Sequence, residues 1–109
     1  MGLKIVARPE FETTVVVNLA YLKGDFKARY VALPIDELQQ MERKGIAAGL
    51  GPSAILFDVC TWFGDVELPS GPLTYDGTPS LTRLLNHQGL GPAMVKAYYA
   101  ALWEEASGN

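Results

Sequence analysis

Two kinds of hydrophobic spacing divide the chain. Over residues 11–19 (FETTVVVNL) one face takes Phe11, Thr13, Val15, Val17 and Leu19, and the other Glu12, Thr14, Val16 and Asn18. A period of two, with this much Thr and Val, predicts a half-buried strand. Residues 26–33 (FKARYVAL) alternate in the same way, with Phe26, Ala28, Tyr30 and Ala32 opposite Lys27 and Arg29, as on an antiparallel ribbon wetted on one side. The intervening Tyr21-Leu22-Lys23-Gly24-Asp25 reads as the hairpin connection, with Gly24 supplying the turn. Leu3-Lys4-Ile5-Val6-Ala7 is a candidate third strand, ended by Arg8-Pro9 because proline brings no N–H to a ladder.

At Pro34 the period changes. Ile35, Leu38 and Met41 recur every three residues between charged and amide side chains, with Asp36 and Glu37 early and Arg43 and Lys44 late. That is an amphipathic helix over 34–44 whose charges suit its macrodipole, with Gly45 as the candidate C-cap. Residues 51–63 (GPSAILFDVCTWF) are the most apolar stretch. Gly-Pro followed by nearly all-round hydrophobicity predicts a central core helix over 52–63, with a buried strand as the alternative. Residues 64–77 hold Asp65, Pro69, Gly71, Pro72, Asp76 and Gly77 and read as a long loop. Its Val66, Leu68, Leu73 and Tyr75 are candidates to lie across the core. Thr78-Pro79 starts a short helix over 79–87, with Thr78 as N-cap and Leu81, Leu84 and Leu85 as its buried face. Gly91-Pro92 starts the last, over 91–105, and residues 106–109 read as a frayed tail.

The expectation is one α+β domain spanning residues 1–109. An N-terminal antiparallel β-ribbon of two or three strands (3–33) precedes about four helices (34–105) packed around a central apolar helix.

Composition narrows the function classes. The chain has 109 residues, 49% of them hydrophobic, and a net charge of −3 without a basic run. Nucleic-acid binding by phosphate neutralisation is therefore not expected. No apolar run reaches the roughly 20 residues of a membrane span, so no membrane partner is expected either. One cysteine makes no internal disulfide, and Met1–Ala7 lacks the apolar core of a secretory leader. Met1-Gly2 is followed at position 6 by Val, where N-myristoylation wants Ser or Thr. The expectation is a cytoplasmic protein.

Candidate chemistry is sparse. Gly49-x-Gly51-x-x-Ala54 resembles a dinucleotide loop, but a polar helix rather than a strand precedes it, and Pro52 removes an amide. The plain reading is a helix start, as it is where Gly49-Leu50-Gly51-Pro52 recurs as Gly89-Leu90-Gly91-Pro92. Cys60 and His87 are single residues of their kinds. Cys60 falls mid-helix among apolar neighbours, where a thiol is inert packing, and two such ligands do not make a structural zinc site. Asp58, Thr61 and Asp65 share one helical stripe, read as the solvent face of the central helix. Lys23, Lys27 and Arg29 make a small basic patch on the ribbon. Neither an enzyme nor a bound cofactor or metal is expected.

The last helix carries the candidate binding surface: Met94, Tyr98, Tyr99 and Trp103. Tyr98 and Tyr99 are about 100° apart around a helix, so one element cannot turn the whole group inward. Exposed Met and aromatics are interface material, with Trp103 the expected anchor.

The order of segments resembles the tail assembly chaperones of long-tailed bacteriophages and prophages. That family shows a strand F-x-A-x-(F/Y)-x-A-L-P, a helix opening D-E-L, a helix closing near G-W and a loop with L-x-(F/Y). Next come (S/T)-P-x-(N/S)-L-x-(R/K)-L-L and a last helix with V-x-A-Y. The matching residues are Phe26, Ala28, Tyr30, Ala32, Leu33, Pro34, Asp36, Glu37 and Leu38; then Trp62, Leu73, Tyr75, Thr78, Pro79, Leu81, Arg83, Leu84 and Leu85; then Val95, Ala97 and Tyr98. Thr61-Trp62-Phe63 stands where the family has G-W, and Ser70-Gly71 replaces an acidic turn. The resemblance implies a non-enzymatic protein of the bacterial host cytoplasm, absent from the finished virion. It would bind the tape-measure protein and keep it soluble, with the tail tube protein as a further partner and with self-association into homo-oligomers. The alternative is a structural tail or neck subunit forming stable oligomers. An enzyme or ligand-binding domain built on Cys60, His87 or Asp58 is the third reading.

Overall fold

Alternation along residues 10–31 builds a hairpin of two long strands. In the computed structural model, which describes residues 2–49 and 51–103, β1 is Glu10–Asn18 and β2 is Lys23–Val31. They pair antiparallel from Glu10 opposite Val31 to Asn18 opposite Lys23. Val15, Val17, Phe26, Ala28 and Tyr30 point inward and are buried. The connection is tighter than expected. Leu19 and Leu22 exchange backbone hydrogen bonds of 2.8 and 3.3 Å, so Gly24 lies in the ladder opposite Val17 rather than at the turn. The candidate strand 3–7 does not form: those residues join no sheet, and Leu3 and Ile5 are almost fully exposed.

The third strand comes from the apolar stretch. Pro52–Ile55 is a 3₁₀ turn, α2 is the single turn Leu56–Val59, and β3 is Cys60–Gly64. The helix expected over 52–63 therefore stops at Val59, and its second half is the strand given as its alternative. β3 pairs antiparallel with β2, with a bulge between Arg29 and Tyr30, in a sheet of order β1-β2-β3. Thr, Trp and Phe favour the extended state. The strand also solves a packing problem that an all-apolar helix creates: Cys60 and Phe63 face the core, while Trp62 covers the outer face, where the Arg29 guanidinium lies 4.6 Å from its ring centroid. The ring crosses Gly64 so closely that a Cβ there would fall 2.2 Å from it.

The helices pack over the inner face. α1 is Ile35–Ala47, α3 is Thr78–Leu85 and α4 is Leu90–Trp103. The α+β architecture holds, with Ile55, Leu56 and Val59 completely buried at its centre. Gly45 is not the C-cap of α1. It is buried inside the helix, where a Cβ would meet the Ala54 Cβ at 2.6 Å and the Gly51 carbonyl at 2.8 Å, so its missing side chain lets α1 press on the 3₁₀ turn. Residues 64–77 are not one loop: β4 (Val66–Leu68) and β5 (Gly71–Leu73) form a hairpin. Leu73 is buried, and Val66, Leu68 and Tyr75 pack against the core. Thr78 does not cap α3. Asp76 Oδ1 accepts from the Ser80 N–H at 2.9 Å, and Ser80 Oγ accepts from the Asp76 N–H at 2.8 Å. The N-cap position itself is Gly77, which has no side chain to bond, and the Asp76–Ser80 pair around it is reciprocal in the manner of a capping box. The two Gly-Leu-Gly-Pro segments fold differently. Gly51, at φ 74°, precedes the 3₁₀ turn, whereas Leu90, Gly91 and Pro92 are already helical in α4. The expected end of the last helix at 104–105 and the tail 106–109 lie outside the described residues.

Candidate functional site

α4 splits the four residues proposed to bind a partner. Met94 and Tyr98 are completely buried, which removes them from any surface. The Tyr30 hydroxyl donates to the Met94 carbonyl at 3.1 Å. The Tyr98 hydroxyl donates to the Val31 carbonyl at 2.9 Å and accepts from the Leu33 N–H at 3.4 Å. Its ring lies 5.1 Å from Tyr30 and 5.8 Å from Phe11, centroid to centroid. Tyr98 thus ties α4 to the end of β2 and to Leu33 in the segment before α1, as a core residue.

Tyr99, one position on, faces α1 and donates to Glu42 Oε1 at 2.7 Å. Burial, reinforced by the Glu42 carboxylate, raises its pKa above the usual tyrosine value. Trp103 is 75% exposed. Together they line a groove of about 400 Å³ between α1 and α4, with Leu33, Leu38 and Leu102 in its walls and Gln39 and Glu42 among its polar groups. Ile35 belongs to the same groove. Its spacing assigned it to the buried face of α1, but it is 62% exposed. The signal for this was its place next to Pro34 in the first helical turn, where a side chain reaches past the end of the packed face. The groove has two large exposed apolar side chains at its rim and a leucine-lined wall, the chemistry that takes the apolar stripe of an amphipathic helix.

The other candidate residues are dispersed. Cys60 Sγ donates to the Trp62 carbonyl at 3.5 Å, on β3 rather than mid-helix. His87 lines a different groove, between the β1–β2 connection and the β4 end of the second hairpin, and Cys60 is not among the residues around it. The Asp58–Thr61–Asp65 stripe dissolves because no helix runs through it. Thr61, on β3, donates to Glu10 Oε1 at 3.0 Å, and Asp65 takes a left-handed φ of 65° between β3 and β4. In the basic patch, Arg29 and Lys27 flank Glu12 at 3.0 and 4.0 Å. Among the described residues, no three of His, Cys, Asp and Glu gather to hold a metal, and no helix is long and apolar enough to cross a membrane.

Burial pushes the Cys60 thiol from its ordinary 9.0 up to about 11. It also raises the Tyr30 and Tyr98 hydroxyls above 10.0. A raised pKa in the folded state means that the unfolded chain loses its proton first. The stability linked to these groups is then whole below pH 9 and is lost as pH climbs from 9 through about 11, with the tyrosines adding to the loss above pH 10. Thermal unfolding followed from pH 8 to 11 is expected to show the melting temperature falling from pH 9 upward, more steeply beyond 10. At pH 8 the native thiol should react with a thiol reagent far more slowly than the unfolded one. A flat profile, or a fast-reacting native thiol, would contradict this placement of Cys60.

Comparison with family models, with curated proteins and with solved structures finds no match to this chain.

Proposed function

We propose that the chain is a tail assembly chaperone of a long-tailed bacteriophage or prophage, which binds the tape-measure protein and keeps it soluble before the tail tube is built. The family reading rests on the order and spacing of the segments it resembles, from Phe26 to Tyr98. The structural observation that supports it is the α1–α4 groove, with Ile35 and Trp103 standing exposed at its rim. A tape-measure protein is long, helical and apolar, and a shallow apolar groove with aromatic anchors holds successive helical segments without demanding one sequence. On this reading the protein acts in the host cytoplasm, performs no catalysis and uses no cofactor, self-associates when it has no client, and leaves before the virion is complete. The tail tube protein is a further partner.

The test is co-expression with the tape-measure protein of the same genome, followed by affinity capture. The expected result is that the tape-measure protein moves from the insoluble to the soluble fraction and co-purifies. A structural tail or neck subunit is the second reading, and the observation in its favour is the nine-residue outer strand β1, a surface on which stable polymers can grow. An insoluble tape-measure protein, together with rings of this protein that survive dilution, would establish that reading instead.

A further inference from the structure

Residues 2–9 form an arm whose apolar side chains stand in solvent. Leu3 is 90% exposed, Ile5 85% and Val6 58%, and the arm joins no sheet. Its charged residues are Lys4 and Arg8, with no acid among them. The arm is tied down at its root. The Pro9 carbonyl accepts from the Ala32 N–H at 2.9 Å, and the Arg8 guanidinium lies 3.9 Å from Glu37 Oε2. Arg8 takes a left-handed φ of 51°, which turns the arm off the line of β1. Apolar side chains exposed side by side in this way are interface material.

A groove of matching character lies at the far end of the ribbon. Its volume is about 410 Å³, and Val17, Leu22, Phe26, Leu68, Leu84 and Leu90 supply its apolar lining. The Tyr21 hydroxyl donates to the Gln88 carbonyl, which ties the β1–β2 connection to the turn before α4. The charged residues around the groove are Asp25, Asp65 and Glu67 against Lys23, with His87 beside them. Among the described residues, none of the three carboxylates has an ion-pair partner.

We propose that Leu3 and Ile5 of a second copy seat in this groove, with Lys4 answering the excess of carboxylates at its rim. In an extended arm Leu3 and Ile5 share one side and Lys4 takes the other, and the long lysine stem lets the ammonium bend back to the rim. Two other grooves lack this match. Lys96 is the one charged residue lining the groove beside β1, and it opposes Lys4. The one carboxylate lining the α1–α4 groove, Glu42, already accepts the Tyr99 hydroxyl. The arm does not reach the groove of its own chain. Phe26, the ribbon residue of the lining nearest the arm, stands opposite Val15, six residues beyond Pro9, or about 20 Å of extended strand. Ile5 lies four residues before Pro9 and reaches at most about 14 Å. Arm and groove therefore belong to different copies, each copy giving its arm to the next in a heterologous contact. The contact leaves the α1–α4 groove free, so it stands or falls separately from the client reading.

The test uses Leu3→Ser/Ile5→Ser in the arm and Asp25→Lys/Glu67→Lys at the groove, first apart and then mixed, with sedimentation velocity for association and native mass spectrometry for composition. All four positions are exposed, so melting temperatures should stay close to wild type. Wild type is expected to associate, and each double variant alone to dissociate at least about tenfold more readily. The equimolar mixture should form a one-to-one dimer and nothing larger, because only one intact arm then meets one intact groove. A monomeric wild type would overturn the proposal. So would an arm variant that associates like wild type, or a mixture that stays dissociated. A groove variant that associates like wild type while the arm variant does not would overturn it as well, by sending the arm to another surface such as the outer edge of β1.

Discussion

Tyr98→Ala is expected to cost about 3–5 kcal/mol of folding stability, the range for deleting a large aromatic side chain from a core. The ring is fully buried and packs on both Phe11 and Tyr30, so its removal opens a cavity where β1, β2 and α4 meet. A domain of this kind is stable by only about 5–15 kcal/mol, and the variant should unfold at much lower denaturant concentration or fail to accumulate. Tyr98→Phe separates packing from polarity. It keeps the ring but leaves the Leu33 N–H without the hydroxyl that receives it at 3.4 Å, at an expected cost of about 1–2 kcal/mol. Equilibrium urea unfolding of both variants measures the difference. Equal losses would mean that the hydroxyl, rather than the ring, holds α4 to the sheet. Because Tyr98 lies in the core, both variants that still fold should bind a client as wild type does.

The double variant Ile35→Asp/Trp103→Asp should do the opposite. Both side chains are mostly exposed, so folding stability should move by about 0.5 kcal/mol or less, as for ordinary surface changes. Client capture should fall steeply. A buried Trp anchor is typically worth about 2 kcal/mol or more to an interface, roughly thirtyfold in affinity, and a carboxylate set against an apolar helix adds a desolvation cost. Co-purification of the tape-measure protein, with melting temperature as the folding control, reads both quantities. Undiminished capture by a well-folded double variant would move the client surface away from the α1–α4 groove.

The places where the chain misled are as informative as those where it did not. Met94, Tyr98, Tyr99 and Trp103 form one apolar group in the sequence, and helical geometry alone says that they point in different directions. Which of them faces the core depends on where Tyr30 and Phe11 stand, and that is a property of the sheet. Asp76 and Ser80 bond reciprocally across Gly77, the N-cap position of α3, a pairing four residues apart that the more conspicuous Thr78-Pro79 concealed. Ile35 reads as core because its spacing continues into Leu38 and Met41, but the packed face of α1 begins one turn later.

By itself the sequence determined the elements whose pattern is local: the β1–β2 ribbon from its period of two, α1 and α4 from their apolar stripes, and the α+β class from their order. Tertiary structure decided the fate of residues 60–64. Their apolar side chains are equally compatible with helix and strand, and β3 forms because β2 presents an open edge with Ala28 and Tyr30 beside it. Tertiary structure likewise decided that Gly45 is a packing glycine, since the Ala54 and Gly51 atoms that would meet its Cβ arrive from another segment. Periodicity reports which side chains avoid water. Which partner they find is set by pairings between residues far apart in the chain, and those exist only once it has folded.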